Sequence, residues 1–350
     1  MIGFAAPRLH NRVTPRSFGL TVKWIDLRRC ARGAGVVVAA WLAVACGGGE
    51  QVSTFKAKRV LAFGDETSLI VDVNRSGNGL KYSINGTVST TDPTLDCRIN
   101  ALWIQRVASI YNLVFPECNN GTTPVASPAS RIRATLAAKA ADVSMQIDAQ
   151  QADSSIGDGD ISTVVVGEND VLEQYAQYPA LSEAAITANV EAAGAVVGRQ
   201  VNRLADAGSK VLISTIPDAG VTPFAAAEKL AHTDTDRAAL LTRLSQRFNA
   251  SMRATIYNDG RRIGLILLDE LVSAVGRFNG LNGFTNTSVG ACDLKKSTQV
   301  PPSVLDCSDL TLITGAGSNS YLWADDRHLS AGGHASFGNL AVTRAQNNPF

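Results

Sequence analysis

Asp325 and His328 stand three residues apart in the stretch DDRH, directly ahead of a segment with helical spacing. A loop at that point can aim both side chains at one spot. The carboxylate then fixes the imidazole tautomer, and the second ring nitrogen is left to serve as a base. A D-x-x-H pair is also frequent by chance, and a solvated loop histidine is the plainer explanation. Among the four histidines, His10 lies in a basic N-terminal stretch, and His232 and His334 fall in helical segments. His328 is the candidate base by elimination. Hydroxyls that such a base could activate occur at Thr67 and Ser68, in the first turn after an apolar run, where helix N–H groups can support an oxyanion. Ser68 lacks the extra methyl of Thr67 and is the better nucleophile of the two.

These residues need a frame, and the hydropathy pattern provides one. Four continuous apolar runs, KRVLAF (58–63), ISTVVVG (161–167), GSKVLIST (208–215) and RRIGLILLD (261–269), have the character of strands buried on both faces of a parallel sheet. Between them lie Ala-rich stretches of helical spacing at 100–111, 133–151, 182–208 and 235–260, and a last helix follows Leu329. Strands alternating with helices predict an α/β layered domain. In such sheets the working site lies beyond the carboxyl ends of the strands. That rule selects the loops GDETS, GENDV, IPDAGVTP and DELVSAV, with WADDRHLSAGGH as a fifth candidate.

The N-terminus has a different character. Residues 1–32 carry seven Lys and Arg against one acid, and the apolar run GAGVVVAAWLAVAC follows. A basic stretch, about a dozen apolar residues and a small-residue exit form a secretory signal, too short for a membrane span. The cysteine at its end, Cys46, followed by GGGEQ, resembles a bacterial lipoprotein signal, which implies lipidation of Cys46 as the mature N-terminus. The expected organisation is a signal over 1–45, a linker over 46–56 and one domain over 57–350, with insertions near 74–130 and 277–320. Removing 1–45 takes away seven of 32 basic and one of 31 acidic residues, leaving 25 against 30 and a formal net charge of −5. A mildly acidic body offers no electrostatic footprint for nucleic acid. Export permits disulfides. Of the three pairings open to Cys97, Cys118, Cys292 and Cys307, the sequence-local ones, Cys97–Cys118 and Cys292–Cys307, each close a polar stretch and are preferred. Zinc is the weaker alternative, since neither CxxC spacing nor a nearby histidine accompanies them.

Five stretches in order, FGDE, VVVGEND, STIPDAGVTP, GFTN and YLWADDRHLSAGGH, together resemble the GDSL/SGNH hydrolases over roughly residues 57–346. The likeness is to the long bacterial and plant-like esterase branch. It implies a flavodoxin-like three-layer α/β/α sandwich with a parallel sheet, and hydrolysis of ester or acyl bonds without a metal or organic cofactor. Carried over by position, His328 is the general base, Asp325 its orienting acid and Asn169 the side-chain donor of the oxyanion hole. The second, backbone donor falls at Ala137, where the family has glycine; alanine is tolerated there if its φ is negative. A lipid or small-molecule ester substrate, a membrane contact through the lipid anchor and a monomeric state are the expected partners and assembly. The implied location is the periplasm or cell envelope, as an outer-membrane lipoprotein of a Gram-negative bacterium.

One position departs from the family. Glu66 stands where the nucleophilic serine belongs. Three readings follow: a shifted loop that promotes Thr67 or Ser68, Glu66 itself as the nucleophile, or a degenerate site in which Glu66 pairs with His328 on a lipid-anchored binding protein.

Overall fold

The computed structural model describes residues 55–347 apart from Thr90, Asn279 and the Leu281 side chain. The signal segment, Cys46 and most of the linker lie outside the described residues. A five-stranded, all-parallel sheet forms the centre, ordered β4-β1-β5-β6-β7. Its strands are β1 (Arg59–Gly64), β4 (Arg131–Ile132), β5 (Asp160–Val165), β6 (Lys210–Ser214) and β7 (Ile263–Ile266). Two short two-stranded sheets lie outside it: β2 (Ile70–Val71) with β3 (Leu80–Lys81), and β8 (Asn286–Gly290) with β9 (Tyr321–Trp323).

Alternate residues of β1 face opposite sides of the sheet and enter separate apolar layers. Leu61 and Phe63 pack with the helices Asp142–Asp153, Glu168–Tyr175, Glu183–Asp206 and Arg237–Thr255. Val60 and Ala62 pack with Trp103–Ser109, Leu268–Arg277 and Ala331–Asn347, where Trp103 stacks on Phe337 at 4.3 Å between ring centroids. The result is the three-layer sandwich with a parallel core that the strand pattern implies.

The differences from the expected elements are concentrated at the strand ends. The helix expected over 133–151 begins only at Asp142. Residues 131–132 instead pair with β1 as a fifth, edge strand, and the N–H groups of Arg133 and Ala134 donate to the Ala62 carbonyl. Sheet pairing overrides the helical propensity of the Ala-rich run. DELVSAV, expected as a loop, lies within the helix Leu268–Arg277. IPDAGVTP contains the start of another helix, Pro223–Ala231, with Thr222 as N-cap and Pro at the first helical position.

Both cysteine-bearing stretches are pinned. Cys97 is bonded to Cys118 and Cys292 to Cys307. The fully buried Lys81 donates to the carbonyls of Cys97, Ile99 and Asn100 at 3.1, 2.6 and 2.8 Å, and burial lowers its pKa to about 7.

Gly64, the last residue of β1, has φ +118°, and a Cβ there would come within 1.8 Å of the Val165 carbonyl oxygen. Clash and left-handed backbone add, so Gly64→Ala is expected to destabilise the domain by at least about 3 kcal/mol. Urea denaturation followed by circular dichroism measures it; a loss below about 1 kcal/mol would show that the turn accommodates a side chain.

Candidate active site

Two parallel strands deliver the site in the same way. β1 ends in Gly64 and β5 runs on to Gly167, both with positive φ, at +118° and +129°. After Gly64 the chain turns through a single 3-10 turn, Glu66–Ser68, capped by the Asp65 carboxylate accepting from the Thr67 N–H at 3.0 Å. After Gly167 it enters the helix Glu168–Tyr175, with Asn169 in the first turn. Gln146 holds the end of β1 from the neighbouring helix, accepting from the Gly64 N–H at 2.7 Å and donating to the Gly64 carbonyl at 2.9 Å.

The third component is the tight loop between β9 and the last helix. The Ala324 N–H donates to the His328 carbonyl at 2.7 Å, and the Ser83 hydroxyl donates to the Leu329 carbonyl at 2.8 Å. Within this loop Asp325 accepts from the backbone N–H groups of Arg327 and His328 through one oxygen, at 3.0 and 2.7 Å. Its other oxygen meets His328 Nδ1 at 2.7 Å. The imidazole is thereby oriented with Nε2 facing inward.

Glu66 fills the place where these elements converge, only 4 % exposed. Its Oε2 accepts from the Ala137 N–H at 2.9 Å and from the Asn169 amide at 3.2 Å. Its Oε1 faces His328 Nε2 and the Arg327 guanidinium, each at 3.6 Å. Arg327 also donates to the Asn169 carbonyl oxygen at 3.3 Å, which turns the amide N–H toward Glu66. Glu66, Ala137, Asn169, Asp325 and His328 are therefore brought together. Ser68 is not. It is fully buried, and its hydroxyl accepts from Trp103 Nε1 at 3.1 Å in the apolar layer on the other side of the turn.

Ala137 adopts φ +56°, so the condition for tolerating alanine there, a negative φ, is not met. The segment 135–140 must run close across the strand ends. The Thr135 N–H donates to the Gly64 carbonyl, and the Ala140 N–H donates to the Asp170 carboxylate at 2.9 Å. Only a left-handed residue between them aims its N–H at Glu66.

The charges of the site depend on one another. Burial alone would raise the Glu66 pKa, but the facing His328 and Arg327 bring it down to about 2. Burial alone would lower the His328 pKa, but Asp325 first and Glu66 second hold it up at about 10. Next to them Glu168 is pushed up to about 7 by burial, opposed by Arg327 and His328, and its buried Oε1 has no hydrogen-bond partner in the protein. Asp65, buried beside Glu66, is pushed well above the ordinary carboxylate range. At neutral pH the centre is thus a carboxylate–imidazolium–carboxylate chain, Glu66–His328–Asp325. Among the described residues no cluster of three or more His, Cys, Asp or Glu is arranged to hold a metal ion.

An Asp-oriented histidine faces Glu66 together with an Asn side-chain amide and a backbone N–H, all set at the carboxyl ends of a parallel sheet. Residues 60–341 match the family model for GDSL-like lipase/acylhydrolases, and the chain belongs to that family. No match is found among curated proteins. Similar solved structures include the YxiM protein of Bacillus subtilis, at 14% identity and TM-score 0.35, with 84% of this chain and 57% of that one covered. Axe2, an acetylxylan esterase from Geobacillus stearothermophilus, is 11% identical with TM-score 0.39, covering 83% of this chain and 95% of that one. LAE5, an α/β hydrolase from the metagenome of Lake Arreo, Spain, is 14% identical with TM-score 0.41, covering 85% and 98%.

Sequence reasoning missed Arg327, Gln146 and Glu168. Arg327 was in view, inside DDRH, and a cation beside a candidate base and a carboxylate at the nucleophile position was the available signal. Gln146 carried none, because its partner is backbone 82 residues away.

Two outcomes follow for this site. Removing the Glu66 charge takes one anionic partner from His328, so Glu66→Gln is expected to lower the imidazole midpoint from about 10. His328 has its pKa raised on folding, so its stabilising contribution is full below about pH 6.5 and is lost as pH rises through 10. NMR titration of the imidazole tests this; an unchanged midpoint would mean that Asp325 alone holds the proton. Separately, Ala137→Gly is expected to stabilise the protein by about 1 kcal/mol by relieving the left-handed alanine. A denaturation midpoint that stays put or falls would contradict the strain.

Proposed function

We propose that the chain is an exported ester hydrolase in which Glu66 acts as the nucleophile in place of serine. Asp325 orients His328 to activate water, and the Ala137 N–H and the Asn169 amide serve as the oxyanion donors. One observation carries this reading: the two carboxylate oxygens of Glu66 have different surroundings. Oε2 rests on both donors, while Oε1 is turned toward the base, as a nucleophilic atom would be. A hydroxyl route through Ser68 has no comparable support, since Ser68 is enclosed against Trp103, while Thr67 is half-buried beside it. Fixed donors of this kind are commonly worth about 3–4 kcal/mol each in the transition state. Export, with Cys46 as a lipidated N-terminus at a cell envelope, is supported by the signal-like leader and by two disulfides, which persist in oxidising compartments.

A second reading, a binding protein on the same scaffold, draws on the closed ion chain, in which His328 is a cation at neutral pH and so no base. The two readings differ in one measurable respect. The protein is incubated with phenyl acetate and hexyl sulfate in H₂¹⁸O, and the peptide bearing Glu66 is weighed by mass spectrometry. Turnover through a glutamyl ester or anhydride leaves ¹⁸O in Glu66, and His328→Ala abolishes it. Absence of both label and product with every substrate would favour the binding protein. A fluorophosphonate probe is expected to label nothing in the native protein and residue 66 in Glu66→Ser.

A further inference from the structure

The reaction at Glu66 is constrained by the atom that the carboxylate already keeps in the donor pair. From this geometry we infer that the electrophile is a saturated carbon, and that the substrates are alkyl esters of strong acids, such as sulfate or sulfonate esters, cleaved at the alkyl–oxygen bond. The inference rests on the proposed role of Glu66 as nucleophile and adds which bond it breaks.

An acyl carbon is disfavoured by this geometry. Attack of Oε1 on an ester carbonyl would generate an oxyanion on the substrate, and that oxyanion would need the Ala137 N–H and the Asn169 amide. Both are committed to Oε2. The product would also be an anhydride, a high-energy acyl donor. A saturated carbon makes no such demand, because displacement places no charge on an oxygen attached to the attacked carbon. The charge leaves with the departing acid anion. The cation available to meet that anion is Arg327, 3.6 Å from Oε1 and more exposed than the carboxylate it faces.

Oε1 forms a bond to the alkyl carbon while the carbon–oxygen bond to the strong acid breaks, and its electron pair departs with the acid anion. Glu66 is now a neutral alkyl ester whose carbonyl oxygen is Oε2, already hydrogen-bonded to both donors. His328, left with Asp325 as its one carboxylate partner in contact, releases its proton to solvent and becomes a base. It then takes a proton from water as the water oxygen bonds to the Glu66 carboxyl carbon, and the developing charge falls on Oε2. Collapse breaks the bond from that carbon to Oε1. Oε1 leaves in the alcohol with the proton from His328, the water oxygen replaces it in Glu66, and the new carboxyl group passes its remaining proton to His328, restoring the carboxylate and the imidazolium. The net change is alkyl ester plus water to alcohol plus acid. The first step thus neutralises one of the two carboxylates that hold His328 protonated, so the proton is held less firmly once an intermediate exists.

The test uses the full chain with hexyl tosylate and hexyl sulfate as alkyl probes and phenyl acetate as the acyl probe. In His328→Gln a hexyl adduct is expected to accumulate on the peptide carrying Glu66, and Glu66→Gln should carry none. The unaltered protein gives a check independent of variant folding: in a single turnover in H₂¹⁸O, hexanol should contain ordinary oxygen while Glu66 gains ¹⁸O. If Glu66 gains ¹⁸O with phenyl acetate while neither hexyl probe reacts, the saturated-carbon inference is overturned and Glu66 remains the nucleophile. If no probe yields an adduct, label or product, both the inference and the nucleophile fall. Hexanol bearing ¹⁸O from the solvent would also overturn it, since water would then have attacked the alkyl carbon directly.

Discussion

The carboxylate of Glu66 is held by four groups at once, and the chemistry of the domain is organised around that contact. Two neutral donors bind one oxygen, and two cations face the other. Burying an anion is costly unless it is paired and hydrogen-bonded. Here the Ala137 N–H and the Asn169 amide meet one oxygen, and His328 and Arg327 face the other. A carboxylate at position 66 therefore sets a second anion beside His328, in addition to Asp325, and engages both donors at rest.

The supporting structure serves to make that contact repeatable. Neighbouring strands lead into left-handed glycines, Gly64 and Gly167, each followed within two residues by a site side chain. The 135–140 segment crosses both strand ends and is fixed by Gly64 on one side and Asp170 on the other. The loop 324–328 is closed by its own backbone bonds and tied to the first insertion through Ser83. Even Ala137, in the exposed stretch 135–137, is held by backbone bonds on either side, which is what close positioning requires.

Much of this was legible in the sequence because it is written in local signals. Apolar runs mark four of the five central strands, turn-like residues at the ends of two of them mark the loops that hold Glu66 and Asn169, and DDRH ahead of the last helix marks the one that holds His328. The local cysteine pairs were legible for the same reason. What was hidden depends on contacts distant in sequence. Residues 131–132 form a strand only because β1 is there to pair with them, and Ala137 is left-handed only because two strand ends fix its neighbours. An Ala-rich run contains no trace of either. Ser68 looked available as a serine in a first turn; that its hydroxyl faces an indole 35 residues away is a fact of packing.

Gln146 has a consequence of its own. It grips both backbone groups of Gly64 and touches no side chain of the reacting set. The trajectory of the chain into position 66 is thus fixed independently of which side chain stands there. The turn is held from outside, like a socket whose shape does not come from what it carries.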